Sequence, residues 1–268
     1  MKFKDILCAL FITIAISQTA KSNQVITITD IYSYPIAGVT VQLYHANDPD
    51  MTALLGSFVT NDFGNCSISE YDHGIQMVIY KPSYLKRFIL IEHNNFPPTI
   101  ILPPEESGLF FNTIPIEKVQ FKFEKAPRQG LSIPAYYDGT YSISGNNPAT
   151  ILPDQSLYLV ADNRSTLGQN IIFSENTLYL CPVSGNDVFA TYNKGRLSSQ
   201  RAKFVIETIL NATDKKASGL VHTKIQVFKL SSLPSGEYVL FIGGGNMLDN
   251  EPHPNKESGC YYLQIAEE

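Results

Sequence analysis

An all-β fold, arranged as two β-sandwich domains in tandem after a signal peptide, is what three features of this sequence predict. Short β-branched runs are broken by Gly, Pro, Asn and Asp clusters along nearly the whole chain, at the spacing expected of sandwiches. Inside the clearest runs apolar and polar side chains alternate with a period of two, as Val39, Val41 and Leu43 do with Thr40, Gln42 and Tyr44. Helical stretches are few, and the best of them, Lys203 to Leu210, carries the β-branched Val205, Ile206, Thr208 and Ile209, which favour a strand.

The first 22 residues read as a secretory signal. Lys2 and Lys4 form a basic start, Ile6 to Ile16 is apolar apart from Thr13, and small residues follow at Ala15, Ser17, Ala20 and Ser22. Cleavage suits either the Ala15-Ile16-Ser17 or the Ala20-Lys21-Ser22 triplet. A membrane anchor is the competing reading, but the apolar run falls short of the about 20 residues needed to cross a bilayer. No later segment is long and apolar enough to span one, so a secreted, periplasmic or extracellular-surface protein is expected.

Composition narrows the partners. Charged residues make up 17% and hydrophobic ones 44%, which suits a packed core rather than a disordered chain. A net charge of −5 without any Lys/Arg block argues against nucleic acid, because counterion release needs clustered positive charge.

Residues 23–104 hold seven candidate strands: Val25–Thr29, Gly38–Tyr44, Leu54–Thr60, Asn65–Ser69, Ile75–Tyr80, Arg87–Glu92 and Thr99–Leu102. Asn61-Asp62-Phe63-Gly64 supplies a turn whose glycine tolerates positive φ. His45-Ala46-Asn47-Asp48-Pro49-Asp50 is rich in oxygen ligands but lacks the spaced series and closing Glu of a calcium loop, and is read as a solvated turn.

Several of these residues together resemble a known family. The Val25–Asp30 strand, the Pro35-Ile36-Ala37-Gly38-Val39-Thr40-Val41 turn and strand, Gly56-Ser57 with Thr60 and Gly64, and Lys81-Pro82-Ser83-Tyr84 are similar to the carboxypeptidase regulatory-like domain of transthyretin-like topology. Asn61 stands where that family usually has Asp, and Ser83 where it usually has Gly. The resemblance implies a seven-stranded prealbumin-like sandwich that serves as an accessory, spacing or binding module and performs no catalysis. A related branch forms Lys-Asn cross-links, which the first strand here, having no Lys, is not expected to make.

Residues 105–117, flanked by Pro97-Pro98 and Pro103-Pro104 and containing Pro115, read as a linker. The apolar Leu109-Phe110-Phe111 within it is unusual for a free linker and is expected to hold the two modules at a fixed angle.

Residues 118–268 again read as strands and are assigned to a second, immunoglobulin-like sandwich. The candidates are Val119–Phe123, Ser156–Ala161, Ile171–Phe173, Thr177–Pro182, Val188–Tyr192, Lys203–Ala212, Val221–Lys229, Glu237–Ile242 and Gly259–Ile265. Leu233-Pro234-Ser235-Gly236-Glu237-Tyr238 looks like the tyrosine corner of such sandwiches, in which the hydroxyl bonds back to the backbone.

No catalytic, metal or cofactor site is legible. The zincin, dithiol, nucleophile-elbow and P-loop patterns are absent, and Gly243-Gly244-Gly245-Asn246 lacks the Lys-Ser/Thr and the helix of a phosphate loop. His222, His253 and Cys260 have no metal-ligand spacing. After signal removal Cys66, Cys181 and Cys260 remain. Cys181 and Cys260 are the natural disulfide pair, against the alternative that all three are buried thiols. Tyr136, Tyr137 and Tyr141 lie among Gly, Ser and Asn and form the candidate binding patch, weighed against ordinary packing. Asn65-Cys66-Ser67, Asn163-Arg164-Ser165 and Asn211-Ala212-Thr213 match the glycan acceptor pattern.

The expected function is therefore an exported, non-catalytic binding or spacer module for a protein or glycan partner. A carbohydrate-binding accessory protein and a secreted hydrolase with dispersed catalytic residues are the alternatives.

Overall fold

The computed structural model describes residues 23–126, 138–143, 147–153, 155–162, 178–185, 187–193, 196–197, 204–215, 222–245, 252–254 and 260–267. Among them every helix or strand assigned is a strand, so the all-β reading holds. No described helix is long and apolar enough to cross a membrane.

Seven strands form the first unit: β1 (Asn23–Thr29), β2 (Thr40–His45), β3 (Leu54–Val59), β4 (Asn65–Ser69), β5 (Ile75–Tyr80), β6 (Arg87–Ile91) and β7 (Thr99–Ile101). They make a three-stranded sheet of order β4-β1-β7 and a four-stranded sheet of order β3-β2-β5-β6. The alternation read in the sequence is what lets the two sheets face each other. Ile26 and Ile28 of β1 and Ile68 of β4 meet Val41 and Leu43 of β2 and Met77 and Ile79 of β5 in one core.

Turn chemistry fixes the ends of this sandwich. The buried Thr60 hydroxyl donates to Ile36 O at 2.7 Å and accepts from Val39 N at 2.9 Å, tying the turn between β3 and β4 to the β1–β2 loop. Asn61 Oδ1 accepts from Phe63 N and Asn65 N, each at 3.0 Å, so its carboxamide closes the turn that an aspartate would also close. Gly64 has φ +71°, and a Cβ there would stand 2.5 Å from Ile28 O. Ser83 takes φ +70°, a left-handed conformation that suits glycine better than serine.

The rest of the chain contributes β8 (Gly108–Phe111), β9 (Ile114–Pro115), β10 (Phe121–Lys125), β11 (Gly139–Ile143), β12 (Ala149–Ile151), β13 (Leu157–Asp162) and β14 (Leu178–Pro182). It continues with β15 (Val188–Asn193), β16 (Arg196–Leu197), β17 (Val205–Lys215), β18 (His222–Ser231), β19 (Gly236–Gly245), β20 (Pro252–Pro254) and β21 (Cys260–Ile265). Three sheets result: a five-stranded one of order β17-β18-β13-β8-β9, a central one of order β12-β21-β19-β14 with β20 added to β19, and a four-stranded one of order β10-β11-β15-β16. The expected strand at Ile171–Phe173 lies outside the described residues.

These sheets stack as three layers, one more than the two-layer sandwich expected. Leu178, Leu180, Leu240, Tyr261 and Leu263 of the central sheet pack against Leu157, Leu159 and Leu230 of the five-stranded one. The alternate positions on the same strands, Tyr179, Cys181, Val239, Phe241, Cys260 and Tyr262, pack against Tyr141, Phe189 and Tyr192 of the four-stranded sheet. A sheet covered on both faces needs apolar side chains at consecutive positions, which explains why Leu178–Cys181 and Cys260–Leu263 are unbroken runs.

The stretch 105–117 differs most from expectation. Instead of forming a linker, Gly108–Phe111 pairs with β13 and continues the five-stranded sheet, with Ile114–Pro115 folded back on it. Prolines border these strands and Pro115 sits on the last of them, where no further described strand claims its missing donor.

Candidate functional site

The junction between the first sandwich and the layered second half is built from the outer face of the five-stranded sheet. Leu109 points into the core shared with the central sheet. Phe110, one residue on, points the opposite way, joining Val160, Ile225 and Val227 against Ile31 and Leu85 of the first unit. Tyr32 and Tyr158 meet edge to face across this seam with centroids 4.5 Å apart. The Tyr32 hydroxyl accepts from Thr113 N at 2.8 Å, and burial pushes its pKa up to about 12.

An ion pair sits beside this apolar patch. Arg87 at the start of β6 and Asp214 near the end of β17 are 5% and 4% exposed. Arg87 Nε donates to Asp214 Oδ2 at 3.0 Å and Nη2 to Oδ1 at 2.9 Å, the bidentate geometry that the planar guanidinium favours. Nη1 donates to Ile101 O of β7 at 2.7 Å. Because β6 and β7 end their respective sheets, this last bond closes the open side of the first sandwich. Asp214 Oδ2 also accepts from Phe88 N at 3.1 Å. One carboxylate thus joins a backbone donor and a side-chain cation of the first unit to the second.

The sequence-derived candidates fall elsewhere. Tyr136 and Tyr137 lie outside the described residues. Tyr141 is not part of an exposed patch: it is 5% exposed and ringed by Phe123, Tyr192, Phe121 and Phe189 at centroid distances of 4.5, 5.5, 5.6 and 5.9 Å. Its place on an inner strand of the four-stranded sheet turns its ring toward the central sheet.

Cys181 and Cys260 are not joined in a disulfide. They sit on β14 and β21, the two strands that flank β19, where Cys181 pairs with Val239 and Cys260 with Phe241. Two strand spacings across the sheet, about 9.5 Å, and a two-residue offset along it separate them, beyond the roughly 7 Å that a disulfide can span. Burial pushes the Cys260 thiol up to about 12 and that of Cys66 up to about 11, as expected of inert thiols filling apolar sites.

Other features singled out in the sequence also become local structure. Tyr238 donates its hydroxyl to Ser235 O at 3.1 Å, making the expected corner. Asp48 accepts from Ala53 N at 2.8 Å, and backbone donors hold its carboxyl below the usual range, so the His45–Asp50 stretch is a turn closed on itself. Gly243–Gly245 ends β19 as a strand paired with β20. Among the described residues no three His, Cys, Asp or Glu side chains are placed to hold a metal ion.

Open hollows are also lined by described residues. One of about 510 Å³ lies where Phe111, Ile114, Ile116 and Glu117 face Thr150 and Tyr262. Another, about 380 Å³, lies at one end of the first sandwich, bordered by Tyr71, His73, Glu92 and His93, with His45 stacked on His73 at 4.2 Å. Nothing in the sequence marked that gathering of three histidines, because His45 ends β2 while His73 and His93 lie in two separate connections.

No known family model and no curated protein matches this chain. Among solved structures, the shaft pilin SpaA from Lactobacillus rhamnosus GG, as its D295N mutant, aligns over 93% of this chain and 100% of its own at 10% identity and a TM-score of 0.26. BcpA, the major pilin subunit of Bacillus cereus, aligns over 92% of this chain and 69% of its own at 12% identity and a TM-score of 0.24. Likenesses this slight carry no argument about fold or role.

Proposed function

We propose that this protein is an exported, non-catalytic spacer or binding module whose useful property is a fixed angle between its first sandwich and its layered second half. The observation that carries this reading is the buried Arg87–Asp214 pair. Apolar contact alone is non-directional and would tolerate sliding, whereas a bidentate pair that also engages Ile101 O and Phe88 N has one satisfied geometry. The basic-apolar start of the chain supports export. The Thr60, Asn61 and Gly64 turn and the left-handed Ser83 support placing the first unit with carboxypeptidase regulatory-like domains, which serve as accessory modules.

The carbohydrate reading loses Tyr141 to the core and draws no support from the residues described. Small-angle scattering of the mature chain tests the spacer reading. A curve fitted by one arrangement of the two parts supports it, and a curve that needs a spread of angles rejects it. A glycan and protein-partner array run on the same sample separates spacer from binder. Saturable glycan capture would restore the carbohydrate alternative.

A further inference from the structure

We propose that Asn211 is an N-glycan acceptor when this chain passes through a glycosylating secretory pathway, a proposal that rests on the export reading above. Two of the three acceptor sequences lie among the described residues, and their surroundings differ. Asn211-Ala212-Thr213 is on β17, which ends the five-stranded sheet and pairs only with β18. Leu210 packs at the junction and Asp214 reaches Arg87 there, so the even-numbered positions of this stretch face the first unit. The period of two then sends Asn211 and Thr213 together to the opposite side, and both are exposed. Acceptor carboxamide and hydroxyl thus lie exposed on the same side of this end of the outer strand. A bulky hydrophilic group here would stand beside the outer strand of the sheet, where it would also hinder the approach of another chain.

Asn65-Cys66-Ser67 also lies on a strand, but Asn65 is only partly exposed and already engaged. Its Oδ1 accepts from Thr27 Oγ1 at 2.8 Å, and its backbone N donates to Asn61 Oδ1 at 3.0 Å. The neighbouring Gly64 has no room even for a Cβ, and Cys66 is in the core. A chain that carries a glycan before folding can reach this fold only where the glycan is left in water, which favours Asn211 over Asn65.

The step needs a lipid-pyrophosphate-linked oligosaccharide as donor. Asn211 Nδ2 forms a bond to the anomeric carbon while that carbon's bond to the phosphate oxygen breaks. The lipid pyrophosphate leaves, and the carboxamide proton passes to a base of the transferase.

The full chain, expressed in eukaryotic secretory cells, provides the test. Medium and cell fractions are treated with a glycan-releasing amidase in heavy-oxygen water and mapped by peptide mass spectrometry. The expected result is labelled aspartate at position 211 and none at 65 in the secreted chain. N211Q and T213A should abolish the label, T213S should keep it, and all three should be secreted as well as the parent. A second arm carries the chain behind a leader of proven activity. An unlabelled Asn211 in that arm, or label at Asn65 in its place, overturns the acceptor assignment. Retention in the cytosol with the chain's own leader intact, alongside labelled Asn211 in the second arm, rejects the export reading alone.

Discussion

One face of the β17-β18-β13-β8-β9 sheet is closed by Leu109, Leu157, Leu159 and Leu230 in an apolar cluster with the central sheet. The other face meets the first sandwich through Phe110, Val160 and Val227, and through the Arg87–Asp214 pair beside them. Both faces exclude water, yet they constrain the molecule differently. The first holds whatever leucine-rich surface fits it. Under the proposed spacer reading the second specifies a partner position, because a buried carboxylate and guanidinium left unpaired would be costly. The two faces thus differ in kind, one an apolar cluster and the other an apolar seam with a buried ion pair beside it.

The largest expected effect comes from breaking the polar half of that contrast. Asp214→Ala leaves a buried guanidinium unpaired and should cost about 3–5 kcal/mol in denaturant unfolding. The double variant Arg87→Met/Asp214→Leu should recover most of that loss, since apolar replacement of a buried pair is often neutral. It should nevertheless broaden the range of angles seen by scattering. A double variant as rigid as the parent would show that the apolar seam alone sets the orientation.

Leu230→Ala tests the other face, with an expected loss of about 2–5 kcal/mol. Scattering from that variant should remain unchanged below its transition. Tyr238→Phe removes the corner hydrogen bond and should cost about 0.5–1.5 kcal/mol, measured in the same way.

Alkaline pH gives a smaller effect whose sign follows from the thiols. Cys66 and Cys260 are raised from an ordinary value of 9.0 to about 11 and about 12, so the unfolded chain releases protons that the folded chain keeps. Their contribution to stability is fully present below pH 9 and declines as pH rises through the folded values. Cys260→Ala should flatten this decline in unfolding curves collected at successive pH values. The least effect of all is expected from reductant. Dithiothreitol should leave the melting temperature unchanged, and a drop would mean that Cys181 and Cys260 are bridged after all.

Legibility varied along the chain for reasons that particular residues make plain. The seven strands of the first unit could be read within a few residues because each sheet buries one face, and half-burial writes itself as alternation. The tyrosine corner was equally plain, since its hydrogen bond spans three residues. β8 was hidden by the prolines around it, and β11 by its Gly-Ser-Asn surroundings. Tyr141 in β11 consequently looked like a displayed ring when it is a core one. Arg87 and Asp214 left no trace, being 127 positions apart and each ordinary in its own context.

Local side-chain order by itself determined that this protein is made of strands, where its tight turns fall, and which faces are apolar. All of these depend on interactions between residues close in sequence. Tertiary structure alone decided that a third sheet covers the central one, that an apparent linker became part of a sheet, and that one carboxylate unites two units. Those outcomes depend on which buried surface meets which, and free energy of burial is indifferent to separation along the chain.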